Sequence, residues 1–121
     1  NLKIKPLVGD FKKLNKQEIS LYNSDIVLAL GFLHHMRLVN LISWDEISHK
    51  LSLLTNHVLI TEFKNETFAQ SQNANFKDSI LDYSLEKLVL SLKKSFNKVE
   101  VIGSFSGMYS ESKRTLIVCY K

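Results

Sequence analysis

The chain has 121 residues, 45% of them hydrophobic, which suits the core of one domain but is short for a complete α/β enzyme. A formal net charge of +4 arises from 16 Lys and Arg against 12 Asp and Glu; the lysines are dispersed and only Arg37 and Arg114 are arginines, so a solvated surface is expected and a nucleic-acid partner is left open. No apolar run approaches the roughly 20 residues of a membrane helix, so no membrane partner is expected, and the single Cys119 excludes an internal disulfide or thiolate metal cluster and fits a reducing, cytoplasmic compartment.

Residues 2–8 are apolar and β-prone, with Pro6 pointing to an edge or strand end, and the run closes at Gly9-Asp10-Phe11. Residues 25–30, Asp-Ile-Val-Leu-Ala-Leu, form a continuous apolar run of the length expected for a parallel strand buried on both faces. Gly31-Phe32-Leu33-His34-His35-Met36 then reads as a tight strand-to-helix turn. Ser43 and Glu46 form a capping box ahead of a helix over residues 44–54, whose apolar stripe is Trp44, Ile47, Leu51 and Leu54.

A second buried strand is expected over residues 58–63. The polar stretch 64–82 exceeds an ordinary connection and reads as a lid or binding loop. Ser84 caps a further helix with Glu86 in its first turn and an apolar stripe of Leu85, Leu88, Val89, Leu92 and Phe96. Lys93, Lys94 and Lys98 at its far end complement the helix dipole. Two β-prone runs, 99–105 and 115–120, lie too close together for a parallel crossover, which needs about a dozen residues, so an antiparallel hairpin is expected.

Four segments carry a resemblance to the class I S-adenosylmethionine-dependent methyltransferases. They are Leu7-Val8-Gly9-Asp10-Phe11, Asp25-Ile26-Val27-Leu28-Ala29-Leu30-Gly31-Phe32-Leu33-His34-His35, Leu59-Ile60-Thr61-Glu62-Phe63 and Arg114-Thr115-Leu116-Ile117-Val118-Cys119-Tyr120. They resemble strands three, four, five and seven of that family, and the Asp-led strand running into Leu-His-His is the most specific of them. The resemblance implies part of a Rossmann-like α/β fold, one domain with a mainly parallel sheet and a C-terminal antiparallel hairpin, taken from the family order 3-2-1-4-5-7-6. It implies S-adenosyl-L-methionine as cofactor, lying across the carboxyl ends of the strands.

On that resemblance Asp10 would accept a hydrogen bond from the adenine amino group and Phe11 would flank the ring. Leu30, Gly31 and Phe32 would pass close to the methionine portion, while His34 and Glu62 would face the methyl acceptor as catalytic residues. Read without it, Asp10 is an ordinary turn residue, His34 is a general base or a packed helix-start histidine, and Glu62 binds an acceptor group or caps the next loop. Adjacent His34 and His35, with no HExxH motif or cysteine partner, do not suggest a metal site.

The family's glycine-rich loop after strand one has no counterpart, because no two of Gly9, Gly31, Gly103 and Gly107 have the required spacing ahead of a helix. The expectation is therefore a carboxyl-side portion of a longer enzyme, inactive by itself toward an unidentified acceptor. The alternative is a non-catalytic α/β interaction domain derived from a methyltransferase. A chain that begins at strand three lacks the strands that should cover the apolar edge of residues 25–30, and such an edge is a template for pairing. The isolated chain is accordingly predicted to form a homo-oligomer, with light scattering at micromolar concentration returning at least the dimer mass and a stable monomer overturning the expectation.

Overall fold

The computed structural model describes residues 9–65, 82–106 and 113–121. The strand expected over residues 2–8, most of the polar stretch (66–81) and the turn of the terminal hairpin (107–112) lie outside the described residues. Local chemistry sets the first element, α1 (Lys16–Ser20): the Asn15 side chain accepts from Glu18 N at 2.8 Å and the Glu18 carboxylate accepts from Asn15 N at 3.1 Å. That reciprocal box supports a helix too short to hold by propensity alone. β1 (Ser24–Ala29) follows, then a π-helical turn, His35–Val39.

α2 (Trp44–Leu54) starts at Ser43, whose hydroxyl accepts from Glu46 N at 3.1 Å. Only this half of the expected box forms, because the Glu46 carboxylate turns toward Lys50, 3.6 Å away. α2 passes directly into β2 (Thr55–Lys64), and the Thr55 hydroxyl donates to Leu51 O at 2.7 Å, satisfying one of the helix's last carbonyls. α3 (Leu85–Ser95) is capped by Ser84, which accepts from Lys87 N, and the hairpin consists of β3 (Lys98–Ser106) and β4 (Lys113–Tyr120).

The four strands form one sheet in the order β1-β2-β4-β3. β1 and β2 pair in parallel, with Val27 opposite Leu59 and Ala29 opposite Thr61. β4 pairs antiparallel with both β2 and β3. The fold is thus α/β with an open mixed sheet, and the expectation of a mainly parallel sheet is corrected: two of its three ladders are antiparallel. The cause is the position of β4, which returns from the hairpin and inserts between β2 and β3, separating two strands that run the same way.

One face of the sheet carries Ala29, Leu59, Phe63, Ile117 and Cys119, and these pack with Ile47 and Leu51 of α2 and Leu88 and Leu92 of α3 into a single core. Burial pushes the Cys119 thiol up to about 12, so it is a core residue rather than a nucleophile at neutral pH. The opposite face is also apolar: Ile26 lies in line with Val58 and Tyr120, and Leu28 with Ile60 and Val118. Ile26 and Leu28 are 63% and 64% exposed. The reading of residues 25–30 as a strand buried on both faces is therefore corrected to burial on one, since α2 and α3 pack together over the same side. No helix among the described residues is long and apolar enough to cross a membrane.

One-sided burial separates two substitutions that look alike in sequence. Leu59→Ala, at a fully buried position, is predicted to destabilise by about 2–5 kcal/mol. Leu28→Ser, on the open face, should change stability by about 0.5 kcal/mol or less. Urea denaturation of both variants checks this, and a large loss at Leu28 would mean that the outer face is covered in solution.

Candidate functional site

Residues expected to serve the site come from three places: the turn after residue 9, the carboxyl end of β1 and the carboxyl end of β2. Asp10 folds the first turn upon itself. Its carboxylate accepts from Lys12 N at 3.0 Å, and its carbonyl accepts from Lys13 N and Leu14 N at 3.0 and 3.1 Å. The side chain is exposed, so in this geometry it performs the turn role that an aspartate offers by default.

That turn delivers Phe11 to the end of β1. The Phe11 and Phe32 rings meet edge to face, with centroids 5.0 Å apart at 90°. Phe11, Leu30 and Phe32, with Val27, Ala29 and Leu51, line an apolar cleft of about 240 Å³ beside β1. Three of the five residues expected at the cofactor therefore converge on one cleft, and a fourth, Gly31, lies between Leu30 and Phe32. The cleft falls just below the roughly 300 Å³ at which small-molecule sites begin, a size that suits one planar ring system rather than a whole nucleoside.

Gly31 has φ +64°, a left-handed conformation that a residue with a Cβ adopts only with strain. Its N–H donates to Glu62 Oε1 at 2.8 Å, and the same oxygen accepts from Arg114 Nη1 at 2.6 Å. Glu62 is 7% exposed. Its buried charge is matched by the Arg114 guanidinium and by a backbone donor, the conditions under which a carboxylate tolerates desolvation. Beside this pair, the Thr61 hydroxyl donates to Ala29 O at 2.8 Å, and together the two contacts tie the end of β1 to β2.

His34 opens the helical segment after Gly31 and is 7% exposed, with its ring 4.1 Å from that of His35. Burial, and then the positive fields of His35, Lys64 and Arg114, push its pKa from the ordinary 6.5 down to about 4. At neutral pH it is a neutral imidazole, and the burial and positive fields that keep it neutral also make it a poor proton acceptor. His34 and Glu62 thus stand in one neighbourhood at adjacent strand ends, with Arg114 linking them electrostatically.

Arg114 is the site residue that sequence reasoning missed. Its one visible signal was rarity, as one of two arginines; its contact with Glu62 depends on the β2–β4 register, in which Lys64 stands opposite Arg114 and Glu62 opposite Leu116. No family model, curated protein or solved structure matches the chain.

The lowered pKa of His34 gives a signed pH dependence. Because the folded protein resists protonation at His34 more than the unfolded chain does, stability present above about pH 6.5 is lost progressively as pH falls toward about 4. Between pH 7 and pH 5 the wild-type melting temperature is predicted to fall further than that of His34→Gln. Equal slopes would show that His34 is not held neutral by the fold.

Proposed function

We propose that the chain is the carboxyl-side part of a class I S-adenosylmethionine-dependent methyltransferase, acting on an acceptor held at the ends of β1 and β2. The observation that carries this reading is the strand order β1-β2-β4-β3, with β1 parallel to β2 and β4 inserted antiparallel between β2 and β3. The carboxyl half of the family order, 4-5-7-6, has that pattern. Convergence of Phe11, Leu30 and Phe32 on one apolar cleft beside Gly31 supports it from the side chains.

The residues present fit one end of S-adenosylmethionine. A cleft walled by two phenyl rings and a leucine suits a planar base by stacking and apolar contact. The main chain around Gly31 can approach a ligand closely, since no side chain stands there. The cofactor supplies an electrophilic methyl group on a sulfonium centre. This chain's own residues orient and desolvate: Phe11, Leu30 and Phe32 hold the ring, Glu62 fixes the Gly31 turn, and His34, neutral at physiological pH and a poor base there, positions the acceptor rather than taking its proton. Leu30 and Phe32, expected beside the methionine portion, share one cleft with Phe11 and are reassigned in this reading to the ring, which leaves the ribose and methionine ends without a partner set among the described residues.

A second reading, a non-catalytic α/β interaction domain, draws on the exposed apolar face at Ile26 and Leu28. The two readings separate in a titration with S-adenosylmethionine followed by backbone NMR and calorimetry. Binding weaker than micromolar is expected, because the cleft among the described residues takes only the ring, with the shifts concentrated at Phe11, Leu30, Gly31 and Phe32. Shifts confined to the β1 outer face, or none at millimolar ligand, would favour the interaction domain.

A further inference from the structure

The turn that carries Phe11 is closed by its own hydrogen bonds, yet something must fix it to the rest of the domain. Lys50 provides that attachment. It projects from α2, is 8% exposed, and its ammonium donates to Phe11 O and to Lys12 O, both at 3.0 Å. Glu46 Oε1 lies 3.6 Å away, and the Phe11 ring centroid lies 5.5 Å from the ammonium nitrogen.

Burying an ammonium costs several kcal/mol, and a well-packed apolar side chain usually serves stability as well or better. An apolar side chain, however, cannot grip two successive carbonyls. Each carbonyl constrains the backbone of the turn at one point, and two together fix both its distance from α2 and its rotation. Rotation decides where the Phe11 ring points. From Lys50 the constraint passes to Phe11, and from Phe11 to its edge-to-face contact with Phe32, both rings lining the cleft.

We infer that Lys50 is a positioning residue for the ring-binding cleft, holding Phe11 edge-on to Phe32 by clamping the Phe11 and Lys12 carbonyls to α2. The inference deepens the proposed function and rests on its assignment of the cleft to the cofactor's planar base. Lys50 touches no part of a ligand in that cleft; its effect is to remove the ordering of Phe11 from the free energy of binding.

The test is NMR on the whole chain, comparing wild type with Lys50→Met and Lys50→Arg. Lys50→Met keeps the apolar stem and removes the clamp. It is expected to retain the Trp44–Tyr83 stacking contact in the core while losing the Phe11–Phe32 contact, and to weaken S-adenosylmethionine-induced shifts at Leu30 and Phe32 at least fivefold. Lys50→Arg, whose forked donors also reach two carbonyls, should restore both. Lys50→Gln carries the same comparison if the methionine variant does not fold. Retention of the Phe11–Phe32 contact without the ammonium overturns the inference, as does loss of the core contact in Met and Gln variants alike, which would assign Lys50 to stability alone. Absence of any ligand-induced shift in the wild type would overturn the assignment of the cleft, while the Phe11–Phe32 contact would still decide the role of Lys50.

Discussion

A buried carboxylate at the end of β2 accepts hydrogen bonds from two sides, and the geometry of the candidate site follows from it. Glu62 Oε1 receives the Gly31 N–H from the turn after β1 and the Arg114 guanidinium from β4. Arg114 stands opposite Lys64, one step along the same face, so it reaches Glu62 as a diagonal cross-strand neighbour. One oxygen therefore joins the end of the parallel ladder to the neighbouring antiparallel one. Without a cation and a backbone donor close by, a carboxylate this enclosed would be strongly disfavoured. Its presence requires the strand register, and the register in turn places Gly31 and His34 where they are.

The same sheet explains why an apolar sequence is not equivalent to a buried one. Ile26, Val27, Leu28 and Ala29 are all compatible with a strand covered on both faces. In the structure, parity divides them: Val27 and Ala29 face the helices, while Ile26 and Leu28 face outward. Alternation with period two fixes which residues share a face, but whether a second layer covers that face depends on elements elsewhere.

Local signals were read well and long-range ones were not. Both longer helices begin at the serines chosen for them, because an N-cap acts within one turn. β2, β3 and β4 proved longer than their apolar cores, while β1 kept its length but shifted by one residue and left Leu30 outside: β2 adds Thr55, Asn56, His57 and Lys64, whose polar side chains hid it, while pairing to neighbours extended the ladder. α1 was missed although Asn15 and Glu18 carry the capping pattern, since five residues give too little periodicity to register. The mostly antiparallel character of the sheet was already implicit in a hairpin strand lying between the other two. What no local pattern could supply was the pairing of Gly31 with Glu62, Arg114 with Glu62 and Lys50 with Phe11, separated by 31, 52 and 39 residues.

The two ends of the long polar connection add a last constraint. Tyr83 donates its hydroxyl to Lys64 O at 2.5 Å, and Trp44 donates its indole N–H to Asp82 O at 2.8 Å. The rings stack, with centroids 5.6 Å apart, and Phe63 lies 4.9 Å from Tyr83. Both feet of the connection are thus fastened to one aromatic cluster that begins at the first residue of α2 and is part of the core. At the second foot the Asp82 carboxylate also accepts from Arg37 Nη2 at 3.5 Å. With both feet fixed, the entropic cost of the stretch between them grows only as the logarithm of its length.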